Sequence, residues 1–225
     1  MKRSEIQTAI EKAREALGAF RISLPPFAGW SREDYMGMGR SIDSLKRCML
    51  GWDVTDFGND DFRNTGAVLF TLRNGVAGTA TGTPYAEKLI ILEEKQRLPI
   101  HMHKTKTEDI ISRAGAGFEI RLWNTGSDGK PDREKDVRVF CDGVERMVHA
   151  GECITIENGQ SITLTPYMYH TFWGGKGGIA VVGEVSSTND DKTDNYFAEP
   201  VRRFSQIEED EDRKYVLCNE YDTLA

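Results

Sequence analysis

The sequence predicts a mainly β protein, an antiparallel sandwich or barrel with an N-terminal helical arm. Short apolar or β-branched runs recur through the chain from residue 51 on, and turn-forming pairs separate them. Sustained helical spacing is confined to the first segment. A length of 225 residues is enough for one core without disulfide staples.

Taken in order, residues 4–20 place Ile6, Ala9, Ile10, Ala13, Leu17 and Phe20 at three- and four-residue steps, with Ser4 and Gln7 reading as a capping box. Pro25-Pro26 breaks the chain, and a second short helix is expected around 32–48. Residues 51–58 alternate with period two. Strands are then predicted at 66–72, 88–93, 110–112, 118–123, 137–141, 152–156, 162–164, 170–173, 179–185 and 215–218. Asn74-Gly75, Asp142-Gly143, Asn158-Gly159 and the glycine-rich 174–178 supply turns. The expected plan is a helical arm over residues 1–50 packed on a barrel with a C-terminal tail over 51–225, one structural domain overall.

Composition narrows function. The chain carries 36 acidic and 29 basic side chains, a net charge of −7, and no basic run suited to phosphates, so nucleic acid and anionic membranes are excluded as partners. No apolar run approaches the roughly 18 to 20 residues of a membrane span. The cysteines Cys48, Cys141, Cys153 and Cys218 show no C-x-x-C spacing, which points to a reduced, cytoplasmic setting. The acidic run 208–212 reads as a solvated charged turn. No glycine-rich phosphate loop joins a strand to a helix, which removes P-loop and dinucleotide-binding folds.

Chemistry concentrates in Pro99-Ile100-His101-Met102-His103-Lys104-Thr105-Lys106-Thr107-Glu108. Residues two apart on a strand share a face, so His101 and His103 point inward together, and Glu108 returns on the next strand. Two imidazoles and a carboxylate suit a divalent first-row metal and leave positions open for water or substrate. His170, which follows Pro166 and starts a strand, is the candidate fourth ligand. His149 reads as a turn residue.

These residues resemble the cupin superfamily. Its first motif is met by His101, His103, Glu108 and Gly115, with four residues before Glu108 and six after it, while Lys95 stands where the leading glycine belongs. The second motif is looser: Gly159, Pro166 and His170 follow it, with Met168 at its glycine position. The resemblance implies a jelly-roll β-barrel binding one divalent metal through the four ligands.

A nearer resemblance is to the D-lyxose ketol-isomerases, metal-dependent cupin sugar isomerases. It is carried by the N-terminal helix, Pro99–His103 with Lys106-Thr107-Glu108-Asp109, Gly183-Glu184-Val185-Ser186, the segment 189–195, Arg203-Phe204 and 207–211. The family implies interconversion of D-lyxose with D-xylulose, and of D-mannose with D-fructose, with Mn²⁺ preferred and Zn²⁺, Co²⁺ or Fe²⁺ as other candidates. A homodimer is also expected from the resemblance.

Aldose–ketose isomerisation moves hydrogen between C1 and C2 and needs an acid/base beside a Lewis acid. Lys106, lying between two ligands, is placed close to the metal, whose charge together with burial should depress its ammonium pKa. Glu184 is expected to face inward because a hairpin centred on 174–178 would set His170 opposite Val182 and Glu184 opposite Met168. Asp190, Asp194 and Arg203, from the family-like tail, are assigned to sugar hydroxyls. Trp173 is the aromatic assigned to the sugar, although it alternates away from His170, and Tyr167, Phe172 and Trp123 stay open. Arg202-Arg203 being the tight basic pair near the tail, an unphosphorylated sugar is favoured. The same ligands would serve an iron-dependent cupin dioxygenase or a non-catalytic sugar- or metal-binding cupin.

Overall fold

Alternation of apolar side chains along the strands places the core between two antiparallel sheets. The computed structural model describes residues 1–224. Helices α1 (Arg3–Ala19), α2 (Arg32–Met38) and α3 (Asp43–Arg47) lead into β1 (Gly51–Thr55), β2 (Ala67–Gly75), β3 (Gly82–Leu92), β4 (His101–Met102), β5 (Glu108–Gly115), β6 (Phe118–Asn124) and β7 (Val137–Cys141). Then come β8 (Val144–Val148), β9 (Ile154–Ile156), β10 (Ser161–Leu164), β11 (Met168–Gly174), β12 (Ala180–Ser187) and β13 (Tyr196–Phe197). The eight-stranded sheet is ordered β1-β2-β3-β12-β5-β10-β7-β8, and the five-stranded sheet β13-β4-β11-β6-β9. They stay two separate sheets, linked by isolated bridges such as Arg97 to Trp173, so the barrel is a sandwich whose seams are not fully hydrogen-bonded.

Ile90, Leu92, Ile110 and Val182 from one sheet meet Ile120, Leu122 and Phe172 from the other between the layers. The odd positions of β3, Leu89 and Ile91, face outward instead and pack with Trp52, Val54 and Phe70 beneath Ile6, Ile10, Ala13 and Leu17 of α1. Those strands are buried on both faces, which explains their nearly continuous apolar runs. Gly115 ends β5 at φ 84°, where a Cβ would stand 2.0 Å from the Ile179 carbonyl oxygen, so the motif glycine is required by backbone approach.

Several expectations are corrected. The helix begins at Arg3, and the Glu5 carboxylate, not Gln7, reaches back to accept from the Lys2 N–H at 2.8 Å. Ser4 instead donates its hydroxyl to Asp210 at 2.7 Å. The helix expected over 32–48 is broken where Gly39 takes φ 52°. Residues 215–218 form no strand, because only Leu217 bridges to β1, at Trp52. Strands β11 and β12 are not a hairpin pair: β11 lies between β4 and β6, and β12 between β3 and β5.

The acidic run is exposed to solvent, as expected, but it also makes specific contacts with α1. The Arg3 N–H donates to the Glu208 carbonyl at 2.9 Å, and the Glu208 N–H donates to the Met1 carbonyl at 2.9 Å. The fully buried Arg3 guanidinium donates to Glu209 at 2.8 Å and also pairs with Glu220. Gln7 donates to Glu211 and to the Asp212 carbonyl. The tail therefore straps α1 to the sandwich by matched charge.

Replacing Arg3 by Ala would leave the buried Glu220 with only Arg213, at 3.9 Å, as its cation. We expect a stability loss of about 3 kcal/mol in urea denaturation; a loss below about 1 kcal/mol would place the contact among ordinary surface pairs.

Candidate metal centre and buried charge network

Short strands bring the histidines together. His101 on β4 lies directly opposite His170 on β11, and His103 follows β4 by one residue. Glu108 opens β5 in the facing sheet. The ligands therefore come from both layers at one end of the sandwich. One ring nitrogen from each of His101, His103 and His170 lies within 4.8 Å of the others, and all three side chains are buried. Glu108 Oε1 stands 3.5 Å from His103 Nε2 and 3.3 Å from His170 Nε2.

Hydrogen bonding fixes which nitrogens are free. Nδ1 of His101 contacts the Pro99 carbonyl at 2.8 Å, Nδ1 of His103 the Asp194 carbonyl at 2.5 Å, and Nδ1 of His170 the Met168 carbonyl at 3.1 Å. A carbonyl only accepts, so each Nδ1 carries the proton and each Nε2 presents a lone pair. This is the outer-shell arrangement that orients metal-binding imidazoles. Burial, then the neighbouring His170 and His103, hold His101 well below its usual pKa, and burial brings His170 down to about 4. Glu108 Oε1 is buried with no hydrogen-bond partner. Neutral nitrogens and an orphaned carboxylate oxygen turned to one point fit a divalent cation, the donor set of the four expected ligands.

Beside them lies Lys106, whose Nζ pairs with Glu108 at 2.7 Å and Glu184 at 2.9 Å and donates to Asn189 Oδ1 at 3.2 Å. Burial pushes the Lys106 pKa down, but Glu108 and Glu184 outweigh it and hold the ammonium above its usual value. The depression expected from the sequence rested on a metal's charge as well as burial; from the side chains alone the direction is the reverse, because two carboxylates flank the lysine. Burial raises the Glu184 carboxyl, but Lys106 and Lys88 outweigh it and keep the group below its usual range. Glu184 does point inward, although the hairpin that suggested it is absent. Ala180, Val182 and Glu184 simply share one face of β12.

A cavity is lined by the three histidines, Glu108, Lys106 and Glu184, and of the residues assigned to the sugar Arg203 lines it too, with Nη2 at 2.7 Å from Asp53 and 3.2 Å from Asp191. Asp194 does not line it. Its carboxylate accepts from the N–H of Lys104 at 2.8 Å and of Lys106 at 3.1 Å and from the Thr105 hydroxyl at 2.7 Å, clamping the loop that carries Lys106. Asp190 lies outside, accepting from the Thr193 hydroxyl at 2.6 Å within its own turn. Trp173 faces away, donating Nε1 to Glu119 at 2.7 Å between the guanidinium groups of Arg97 and Arg121. Sequence reasoning missed Lys88, Asp53, Asp191, Asn189, Phe57 and Phe197. For Lys88 a signal existed, since it shares a strand face with Ile90 and Leu92.

Residues 1–221 match the family model described as D-lyxose isomerase. The chain belongs to the D-lyxose isomerase family. It is 43% identical to a D-lyxose/D-mannose isomerase of Serratia proteamaculans and 40% identical to one of Escherichia coli O157:H7, each match covering 98% of both chains. An L-ribose isomerase of Cellulomonas parahominis shares the fold at TM-score 0.60 and 16% identity, over 92% of this chain and 98% of that one. One from Geodermatophilus obscurus does so at TM-score 0.53 and 17% identity over the same shares. The chain is a sugar aldose–ketose isomerase with a cupin-like fold, and no described helix is long and apolar enough to cross a membrane.

The depressed histidines predict that the metal-free isomerase is acid-sensitive. Unfolded imidazoles take up protons below about 6.5, whereas His170 resists until about 4 and His101 also resists. The unfolded state then binds more protons, so stability falls as pH drops through that window, by up to about 1.4 kcal/mol per unit for each histidine. Urea midpoints of EDTA-treated protein at pH 7.5 and 5 should differ accordingly; equal midpoints would contradict the assignment.

Proposed function

We propose that this isomerase interconverts D-lyxose with D-xylulose and D-mannose with D-fructose, using one divalent ion, Mn²⁺ first among Mn²⁺, Zn²⁺, Co²⁺ and Fe²⁺. The observation that carries the reading is the meeting of three imidazole Nε2 atoms and an unpartnered Glu108 oxygen beside a Lys106–Glu184 pair. The names of the Serratia and Escherichia relatives support the two sugar pairs. D-Lyxose and D-mannose share the configuration of C2, C3 and C4 and differ by a terminal carbon unit.

His101, His103, Glu108 and His170 would hold the ion. When bound, it supplies Lewis-acid polarisation of the sugar's carbonyl and neighbouring hydroxyl oxygens. Glu184, kept ionised by Lys106 and Lys88, is the base for the proton on C1 or C2. Lys106, kept protonated by Glu108 and Glu184, donates toward the substrate oxygen on which negative charge develops. The carboxylate would take the proton from one carbon and return it to the neighbouring one, with the ammonium 2.9 Å away acting on oxygen. Arg203 lies where it can hold distal hydroxyls. Asp190 and Asp194 act in this reading through the turn and loop they fix, and Trp173 is left outside it. The four free cysteines support a cytoplasmic location, and the family resemblance a homodimer, which light scattering would test.

EDTA should abolish conversion of D-lyxose and added Mn²⁺ should restore it without oxygen; dependence on oxygen would instead favour a dioxygenase. Glu184→Gln and Lys106→Met should each lower kcat by about 10²- to 10⁴-fold with metal binding retained, the range of general acid–base catalysis. Normal turnover by Lys106→Met would remove the lysine from the reaction. In D₂O, deuterium should enter C1 or C2 of the product; a product without deuterium would count against Glu184 as a base.

A further inference from the structure

We infer that Lys88 is a substrate-binding residue, whose ammonium donates to one hydroxyl of the open-chain sugar. The inference rests on the sugar reading above. Lys88 lies on β3 in the same inward row as Ile90 and Leu92, both core residues, and its side chain is 3% exposed. A lysine in such a row is costly unless its charge and its N–H groups are satisfied.

Its surroundings satisfy the charge but leave the donors unused. The nearest carboxylate oxygens, Glu184 Oε1 and Asp191 Oδ2, stand 3.7 and 3.6 Å away, outside hydrogen-bond distance. Lys106, which does neutralise carboxylates directly, reaches its two at 2.7 and 2.9 Å. Glu184 already has Lys106, and Asp191 already has Arg203 at 3.2 Å. Lys88 thus lines the cavity as a buried cation with N–H groups available to an oxygen entering it. It lies beside Glu184, across from the imidazole cluster carried by the facing sheet. A polyhydroxylated chain held at the imidazole end would extend past Lys88 toward Arg203. A charge-assisted bond to a neutral hydroxyl gives orientation without requiring an anionic substrate.

Lys88→Met continues the apolar row of Ile90 and Leu92, and Lys88→Gln keeps donors without the charge should the first variant fold poorly. Both are compared with wild type on D-lyxose and its 3-, 4- and 5-deoxy analogues, and for binding of D-arabinitol by calorimetry. We expect kcat/KM on D-lyxose to fall by about 10- to 100-fold in Lys88→Met, mostly through KM, as for loss of a hydrogen bond to a charged group. Arabinitol binding should weaken in parallel, and for one deoxy analogue wild type and variant should become equal. The same loss on every analogue, or no loss on any, would overturn the assignment of Lys88 while leaving the sugar reading intact. Absence of D-lyxose turnover by wild type loaded with Mn²⁺ would overturn the substrate reading and this inference with it.

Discussion

An alternating set of buried charges is the constraint on which the rest of the molecule depends. Glu108, Glu184, Asp191 and Asp53 meet Lys106, Lys88 and Arg203 at one end of the sandwich. Any one of these groups moved inward alone would cost several kcal/mol, and together they persist because each faces the opposite sign. With neutral imidazoles the set is four negative against three positive, a balance of −1, and a divalent cation would bring it to +1. Asp53 Oδ2, Glu108 Oε1 and Arg203 Nη1 are buried without a hydrogen-bond partner, and the carboxylates facing Lys88 stand beyond hydrogen-bond distance. Glu108, Arg203 and Lys88 line the same cavity.

The sheets make this arrangement rigid. Along β3, β11 and β12 the inward rows read Lys88 with Ile90, His170 with Phe172, and Glu184 with Val182, so each strand supplies core at one end and chemistry at the other. A strand cannot turn one side chain outward without turning its whole row, because the period is two. The packing of the core therefore holds the ionisable groups in place. The site inherits the precision of the core, as preorganised electrostatics requires.

How legible all this was depended on range. His101, His103 and Glu108 are near neighbours whose directions follow from strand parity, so their meeting could be read from spacing alone. His170 needed a long-range pairing and was found through its proline turn and the family motif. Glu184 was placed inward through a hairpin that does not form, and the direction survived because parity belongs to the strand rather than to its partner. Lys88 could have been found in the same way, from its row with Ile90 and Leu92. Arg3, Asp53 and Asp191 could not. Their partners lie 217, 150 and 12 residues away, at Glu220 and, for both aspartates, Arg203, along segments without regular structure.

Those distant pairs explain why the chain continues well beyond the strands that carry the histidines. The segments that supply the histidines and Glu108 end with β11, but the groups proposed for acid/base chemistry and polyol binding depend on the chain from β12 to Arg203. Asn189 holds the Lys106 ammonium, Asp194 clamps its loop, and Asp191 joins Lys88 to Arg203. A peptide without regular hydrogen bonding would not hold Arg203 over the cavity by itself, since its ordering entropy is unopposed. The Thr55 hydroxyl fixes the Arg203 carbonyl at 2.8 Å, and Ser205 binds Asp56. A few residues later the acidic run closes on Arg3 and α1. The solvated acidic run is thus also the far anchor of the same tail: α1 covers the outer face of the sheet and also fixes the segment that completes the inner one.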